Sequence, residues 1–352
     1  MPAENPTPRL SVVCATYNRP DLAIRLLGFL GAQSLRPDEV EIIVVDDGSA
    51  GDAASRIQKV AMPFPFRVLT QRNSGPAVAR HRGIEDASGE IIVLLDDDMQ
   101  MGPDFLAAHR ACHEPGTRRV VLGHIQPDPG LAMPLFERYH AEMILRFIAE
   151  ARSGRLRLRG TQLCTGNVSF RRADYLAVGG FDSDLGQSED AELGVRLEKA
   201  GVELVFGDAA VTLHASVHSS LPAWIRRSFR YGIFDLRIAR KHRDASWTHP
   251  WRYLFLVHPL SRSLLLTVPL FPALGRAAGR AVMGVAMLVD RLGLERLAIS
   301  GTTLAYGLLY FSGVRTECGS LRGALRELRI HLADRRRESR SFATLHAPDR
   351  PR

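Results

Sequence analysis

Three carboxylates in a row, Asp96, Asp97 and Asp98, follow directly on the apolar run IIVLL. Clustered like charges cost repulsion and desolvation unless a cation neutralises them. Carboxylate oxygens select hard divalent ions such as Mg2+ or Mn2+. A solvated acidic loop is the alternative, disfavoured by its position at the end of an apolar strand. A second pair, Asp46 and Asp47, ends the run EIIVV and is followed by Gly48 and Ser49, which suit a sharp turn. Such a carboxylate accepts hydrogen bonds from a ribose hydroxyl or a base N–H, or else caps the next helix. The third group is QSED, residues 187–190, with Ser188 as the expected N-cap of a helix over 189–199 closed by Gly201. A helix N-terminus favours an ionised carboxylate, and an ionised Asp190 is suited to take a proton from a substrate hydroxyl. Glu189 and Asp190 read equally well as ordinary first-turn acids.

The elements that must position these groups alternate. Strands are expected at 10–14, 41–45, 66–69, 90–95 and 119–122, with helices at 21–32, 52–60, 76–87 and 103–113 between and after them. IIVV and IIVLL are apolar at every position, the pattern of strands buried on both faces, so a mostly parallel α/β sheet flanked by helices is the natural architecture. Ligands then bind beyond the carboxyl ends of the strands, where all the acids named above except QSED fall. Past Gly123, QPDPG reads as a loop and 133–151 as a helix, followed by the basic segment RSGRLRLRG. Then come a strand over TQLCTGNVSF, a short helix over 171–178, the loop GGFDSDLGQ, and a strand at VELVFG.

Taken in order, TYNRP, VVDDGS, RNSGPAVARHRGIEDASGEIIVLLDDD, GNVSFRRADYLAVGGFD and SEDAELGVRLEKAG resemble the inverting glycosyltransferases of family 2, over about residues 9–215. The resemblance implies the GT-A fold, a Rossmann-like sheet, followed here by a mainly helical C-terminal region. It also implies roles. Asp96 and Asp98 match the outer acids of the family's D-x-D motif, which holds a divalent cation (Mn2+ or Mg2+) on the donor diphosphate, and Asp97 takes the variable position. Asp47 matches the acid that contacts the nucleoside; Thr16, Tyr17 and Arg19 line the same pocket, and Arg80 reaches towards base or phosphates. Asp190 matches the general base with Glu189 as supporting acid, while GNVSF and Gly179–Phe181 border the acceptor pocket. His214 is the candidate for a further metal or diphosphate ligand, with His218 behind it. The implied reaction moves a hexosyl group from a nucleotide-diphosphate sugar, most often a UDP-sugar, to a hydroxyl of a glycan or lipid-linked acceptor. A nucleotidyltransferase would need a glycine-rich first loop with a lysine, and CATYNRPD has neither. A non-catalytic sugar-nucleotide-binding or scaffold protein of the same fold would be expected to have lost Asp98 or Asp190, and both are present.

The 352 residues carry a net charge of +8 that is unevenly spread. Residues 1–216 hold 23 Lys+Arg against 29 Asp+Glu (−6), and 217–352 hold 23 against 9 (+14). The expected division is a nucleotide-sugar-binding catalytic domain at 1–216, a helical basic and apolar membrane-associated region at 217–335, and a flexible basic tail at 336–352. Uncharged stretches lie at 263–275, 281–289 and 297–314, interrupted by or ending near arginines. The longest would make a helix of about 27 Å against a hydrocarbon core of roughly 30 Å, so helices lying in an anionic membrane interface fit better than spans. Arg226, Arg227, Arg230 and Arg237 sit at near-helical spacing, facing lipid, an acceptor phosphate or plain solvent. Four scattered cysteines without a C-x-x-C pair exclude a disulfide or zinc scaffold and suit a reducing compartment. MPAENPTPRL lacks a secretory leader's pattern. The expected location is therefore cytoplasmic, at the inner face of the cell membrane. No nucleic-acid-binding signature is present; a soluble helical domain with a small core and a homo-oligomer that buries the apolar segments are the remaining alternatives.

Overall fold

The structure, a computed structural model, describes residues 10–153, 157–214 and 220–345. It divides into two compact units, residues 1–132 with 140–217, and residues 133–139 with 218–352.

The first unit is built on one eight-stranded sheet: β1 (Leu10–Thr16), β2 (Val40–Asp46), β3 (Phe66–Thr70), β4 (Ile91–Asp96), β5 (Met99–Met101), β6 (Arg119–Pro127), β7 (Asn167–Arg171) and β8 (Glu203–His214), in the order β3-β2-β1-β4-β7-β6-β8-β5. Four of its seven pairings are parallel, and the three made by β7 and β5 are antiparallel. Alternate residues of β1, β2 and β4 feed opposite cores. Val12, Cys14, Ile42, Val44, Val93 and Leu95 pack with Ala23, Leu26, Leu27 and Leu30 of α1 (Pro20–Gly31). Val13, Ile43, Val45, Ile92 and Leu94 pack with Ala79 and Ile84 of α3 (Pro76–Asp86) and with Leu193 and Leu197 of α7 (Glu189–Lys199). Full burial of each such side chain contributes about 1.5–3 kcal/mol, which explains why these strands are mostly apolar. The remaining helices of this unit are α2 (Ala53–Gln58), α4 (Phe105–Ala111) and α6 (Arg172–Ala177), and α5 (Leu135–Arg152) begins in the second unit.

The sheet carries buried polar groups, each with partners. Glu41 on β2 accepts from the Ser11 and Ser88 hydroxyls, the Ser88 and Gly89 amides and Arg67 Nη1. Burial opposes its ionisation, but the bonds from Ser11, Ser88 and Arg67 outweigh that and hold it down to about 2. Under β7, His109 bonds Ser169 and Asn167 while His113 bonds Ser169; burial lowers both imidazoles to about 4, so they are neutral.

The second unit is helical: α8 (Leu221–Lys241), α9 (Pro259–Leu265), α10 (Pro272–Arg291), α11 (Glu295–Glu317) and α12 (Leu321–Leu345). Ser220 caps α8 by accepting from the Ala223 amide. Helix α11 is the centre: Leu308, Leu309, Tyr310, Phe311 and Val314 are all buried. Glycines bring backbones together there, since a Cβ on Gly232 would lie 1.9 Å from Tyr310 O and one on Gly313 1.9 Å from Phe229 O. The uncharged segment 297–314 falls inside α11. Among the described residues this is the one helix long and apolar enough to cross a membrane, and 61% of its apolar window is buried inside the unit. Of the α8 arginines, Arg237 pairs with Glu317 at 3.0 Å, and Arg230 and Arg237 both lie over the Phe234 ring. Helix α12 runs past residue 335 to Leu345. His218 and residues 346–352 lie outside the described residues.

Candidate active site

The carboxyl ends of β1, β2 and β4 lie side by side, with Thr16 opposite Asp46 and Ala15 opposite Asp96. The three consecutive acids diverge from there. Asp96 Oδ1 receives Arg80 Nη2 at 2.6 Å. Asp97 turns inward, fully buried, where Oδ2 accepts from Thr16 Oγ1 at 2.7 Å and Oδ1 faces Arg19 Nη2 at 2.8 Å. Burial pushes Asp97 up to about 6, against the pull of Thr16 and Arg19. This acid therefore fastens the loop after β1. Asp98 Oδ2 lies 3.6 Å from His214 Nε2 and 3.5 Å from Arg19 Nη1. The short strand β5 makes that meeting possible, because Met99, next to Asp98, pairs in register with His214 at the end of β8.

Asp47 is nearly consumed by the protein itself. Its Oδ1 accepts from Gln71 Nε2 at 2.7 Å and the Ser74 amide at 2.9 Å, and Oδ2 from the Gly75 amide at 2.8 Å. A carboxylate has about four acceptor positions, so one remains for a ligand. Gly48 makes the turn beside it at φ +82°, where a Cβ would lie 2.7 Å from the Asn73 amide nitrogen.

Arg80, buried on α3, ties two parts of the site together: besides Asp96 it faces Glu189 Oε1 at 3.6 Å. Burial works against its charge, and the neighbouring Asp96, Glu189 and Asp190 restore and raise it. Asp190 is pushed up to about 7, first by desolvation and then by the charge of Glu189. The sequence favours an ionised carboxylate at this helix end, whereas burial and the neighbouring charge work against ionisation. Removal from water and a like charge next door outweigh the α7 terminus and Arg80. The expected cap fails too: Ser188 sits at φ 62° and its side chain makes no cap hydrogen bond, because a cap needs extended backbone to face the helix amides. Ser188 and Asn18 (φ 55°) are the two non-glycine residues at positive φ among the described residues. Both flank the site, and such strain gathers where geometry serves function. Asn18 bonds across to the second loop, receiving the Ala50 amide and donating its own to Ser49 Oγ.

Sequence reading missed three contributors. Gly194 of α7 seats against Gly160, where a Cβ on either would meet the other's backbone at about 2.1–2.2 Å. Arg196 donates to Val178 O and Gly180 O, fixing the Gly179–Phe181 loop on α7. Cys164, an exposed residue, lies within electrostatic reach of Asp190 and Asp96. Tyr17 is exposed at the rim. The structure thus joins Thr16, Arg19, Asp97, Asp98 and His214 in one contact set, and Asp96, Arg80 and Glu189 in another, with Asp190 within electrostatic reach of all three. It does not gather Asp96 with Asp98 and His214 as a metal-ligand set among the described residues, and Asp96 is paired with Arg80 instead. Among the described residues no three His, Cys, Asp or Glu side chains could together hold a metal ion.

Residues 11–177 match the model of "Glycosyl transferase family 2", and 145–218 that of the "N-terminal domain of galactosyltransferase". A validoxylamine A glucosyltransferase of Streptomyces hygroscopicus subsp. limoneus is 31% identical over 229 residues, covering 57% of this chain and 50% of that protein. The chain spans about half the length of this relative and of its counterpart from subsp. jinggangensis. The succinoglycan biosynthesis protein ExoM of Rhizobium meliloti is 24% identical over 311 residues, 83% of this chain and 96% of that one. Among solved structures, the mannosyltransferase PcManGT from Pyrobaculum calidifontis, in complex with GDP-Man and Mn2+, superposes with a TM-score of 0.59 over 86% of each chain at 22% identity. The fold is therefore GT-A, and residues 11–177 are similar to the glycosyl transferase family 2 model.

Proposed function

We propose that this chain is a metal-dependent, inverting glycosyltransferase. It transfers a hexosyl group from a nucleotide-diphosphate sugar, a UDP-sugar first, to a hydroxyl of a glycan or lipid-linked acceptor. The observation that carries this reading is Arg80, a buried cation whose guanidinium spans Asp96 at the donor end and Glu189 beside Asp190. It supports one site with a donor half and a base half. The catalytic domain is read as residues 1–216. The basic, partly apolar region 217–335 is read as bringing it to the inner face of the cell membrane.

The donor chemistry fits a divalent cation. Asp98 and His214 offer an oxygen and a nitrogen on one side, and ions of the Mg2+ type take few protein ligands and complete their shell with phosphate oxygens and water. Two protein ligands therefore suffice, and Asp98 with His214 would hold the ion. When bound, it offsets the charge that grows on the leaving diphosphate. Thr16 and Arg19 keep the first loop closed on Asp97, and Asp47 leaves one acceptor position towards a nucleoside. Asp190 removes the acceptor hydroxyl's proton as that oxygen bonds to the anomeric carbon, and the bond from that carbon to the diphosphate oxygen breaks on the opposite face. One displacement of this kind inverts the anomeric centre. A base raised to about 7 is matched to this task, since proton transfer is most efficient when the base's pKa lies near the working pH.

Calorimetric titration of the purified chain with UDP, GDP and dTDP, each with and without Mn2+, tests the reading. One nucleotide is expected to bind in a metal-dependent way that Asp98→Ala abolishes. Folded protein that binds none of the three would overturn it.

A further inference from the structure

We infer that the second unit docks on an anionic phospholipid surface through the open face of α10, while α11 stays inside the unit as its core. The inference rests on the membrane reading above and assigns it to a face. Helix α10 is apolar on two sides, and only one of them is covered. Gly275, Gly279, Met283 and Ala286 form the buried side, where a Cβ on Gly279 would lie 2.9 Å from Leu309 Cγ of α11. Round the helix from these, Leu274, Ala277, Ala281, Val285, Leu288 and Leu292 recur at three- and four-residue spacing, and all six are exposed. A helix apolar round most of its circumference belongs inside a protein or in lipid, not half in water. The open surface continues at both ends. Eleven of the eighteen exposed large apolar residues among those described fall between Leu256 and Leu297.

Charge selects the occupant. Residues 245–289 contain Arg252, Arg262, Arg276 and Arg280 and no acid. Arg276, Arg280 and Arg291 are exposed along one edge of the stripe. A second copy paired on this face about a twofold axis would set arginines of one sign near each other. Phosphate headgroups answer them instead, and a helix of this composition lies in the interface with its apolar stripe in the acyl boundary. Helix α11 is unavailable for that role. Its residues from Gly307 to Val314 are all buried, and the Tyr310 hydroxyl donates to Asp235 at 2.8 Å.

The test is flotation of the full chain with phosphatidylcholine vesicles and with vesicles containing phosphatidylglycerol. Three proteins are compared: wild type, the triple variant Leu274→Asp/Val285→Asp/Leu288→Asp, and the pair Arg276→Glu/Arg280→Glu. Wild type is expected to float with the anionic vesicles. Each variant should partition at least about tenfold less, with far-UV circular dichroism unchanged. The arginine variant should also lose the preference for phosphatidylglycerol, and it keeps the test alive should the triple variant misfold. Wild type that does not float sinks the membrane reading and this inference together. Wild type that floats while both folded variants float equally well sinks the inference alone. Light scattering that finds a wild-type dimer, turned into a monomer by the triple variant, assigns the face to a second copy and overturns it as well.

Discussion

In the first unit, acids and histidines lie inside the protein with their polar atoms largely used. Glu41 is 2% exposed and has three side-chain and two backbone donors. In the second unit large apolar side chains stand open to solvent, as Leu292 does at 69% exposure. The first unit departs from the usual inside-and-outside rule mainly through buried charge and the second mainly through exposed leucine, although the second also buries Glu327 and His331. Buried charge is tolerated where neighbouring groups satisfy it, and it holds loops at fixed positions. Exposed leucine is tolerated where a further surface will cover it. The first arrangement suits recognition of a small polar molecule, and the second suits adhesion.

The contrast can be broken by mutation. The largest effect is expected at Asp190. Asp190→Asn should lower turnover by about 10^2–10^4-fold, while the melting temperature holds or rises, because a partly buried carboxylate beside Glu189 costs stability when charged. A fall in melting temperature would make Asp190 a structural acid like Glu41. Next come two leucines one helix apart. Leu309→Ala in α11 should cost about 2–5 kcal/mol and Leu288→Ala in α10 less than about 0.5 kcal/mol, both read by urea unfolding. Equal costs would mean that the open face of α10 is covered in solution.

Glu41→Gln should cost about 2–3 kcal/mol at neutral pH, since it removes a buried charge from its donors. The sign follows from the lowered pKa. The contribution of Glu41 is present above the ordinary carboxylate pKa and is lost as pH falls through about 2. The variant's unfolding free energy should therefore fall less steeply below pH 5 than that of wild type. The smallest effect concerns Glu189. Removing its charge in Glu189→Gln should move the acid limb of the rate profile, expected near pH 7, downward by about one unit. An unmoved limb would show that desolvation alone sets the base.

Legibility followed burial. Strands β1, β2 and β4 could be read because their runs VVCA, IIVV and IIVLL are apolar at every position, and α1 because its buried residues recur at helical spacing. The three-residue β5 could not: MQM after three acids has no period, and the hydrogen bonds to β8 that create it come from residues over a hundred positions away. TQLCTGNVSF looked like one strand, yet only Asn167–Arg171 pairs, the earlier residues turning to let Gly160 meet Gly194. Within the candidate site, residue types were readable and directions were not. Asp96, Asp97 and Asp98 are identical side chains that face Arg80, Thr16 and His214 in turn, and only the backbone turn decides which faces what. Ser188 and Asn18 gave no sign of their strain, because positive φ at a polar residue is imposed by its surroundings.

The three hydrogen bonds that Asp47 receives from residues 71–75 also have a kinetic meaning. Ordering a loop around an arriving molecule slows capture, and it charges the lost chain entropy to the binding event. Here that entropy is lost once, during folding. A molecule that settles against this loop should meet it ready-made, with capture set by encounter and with little change in loop shape between the free and occupied forms.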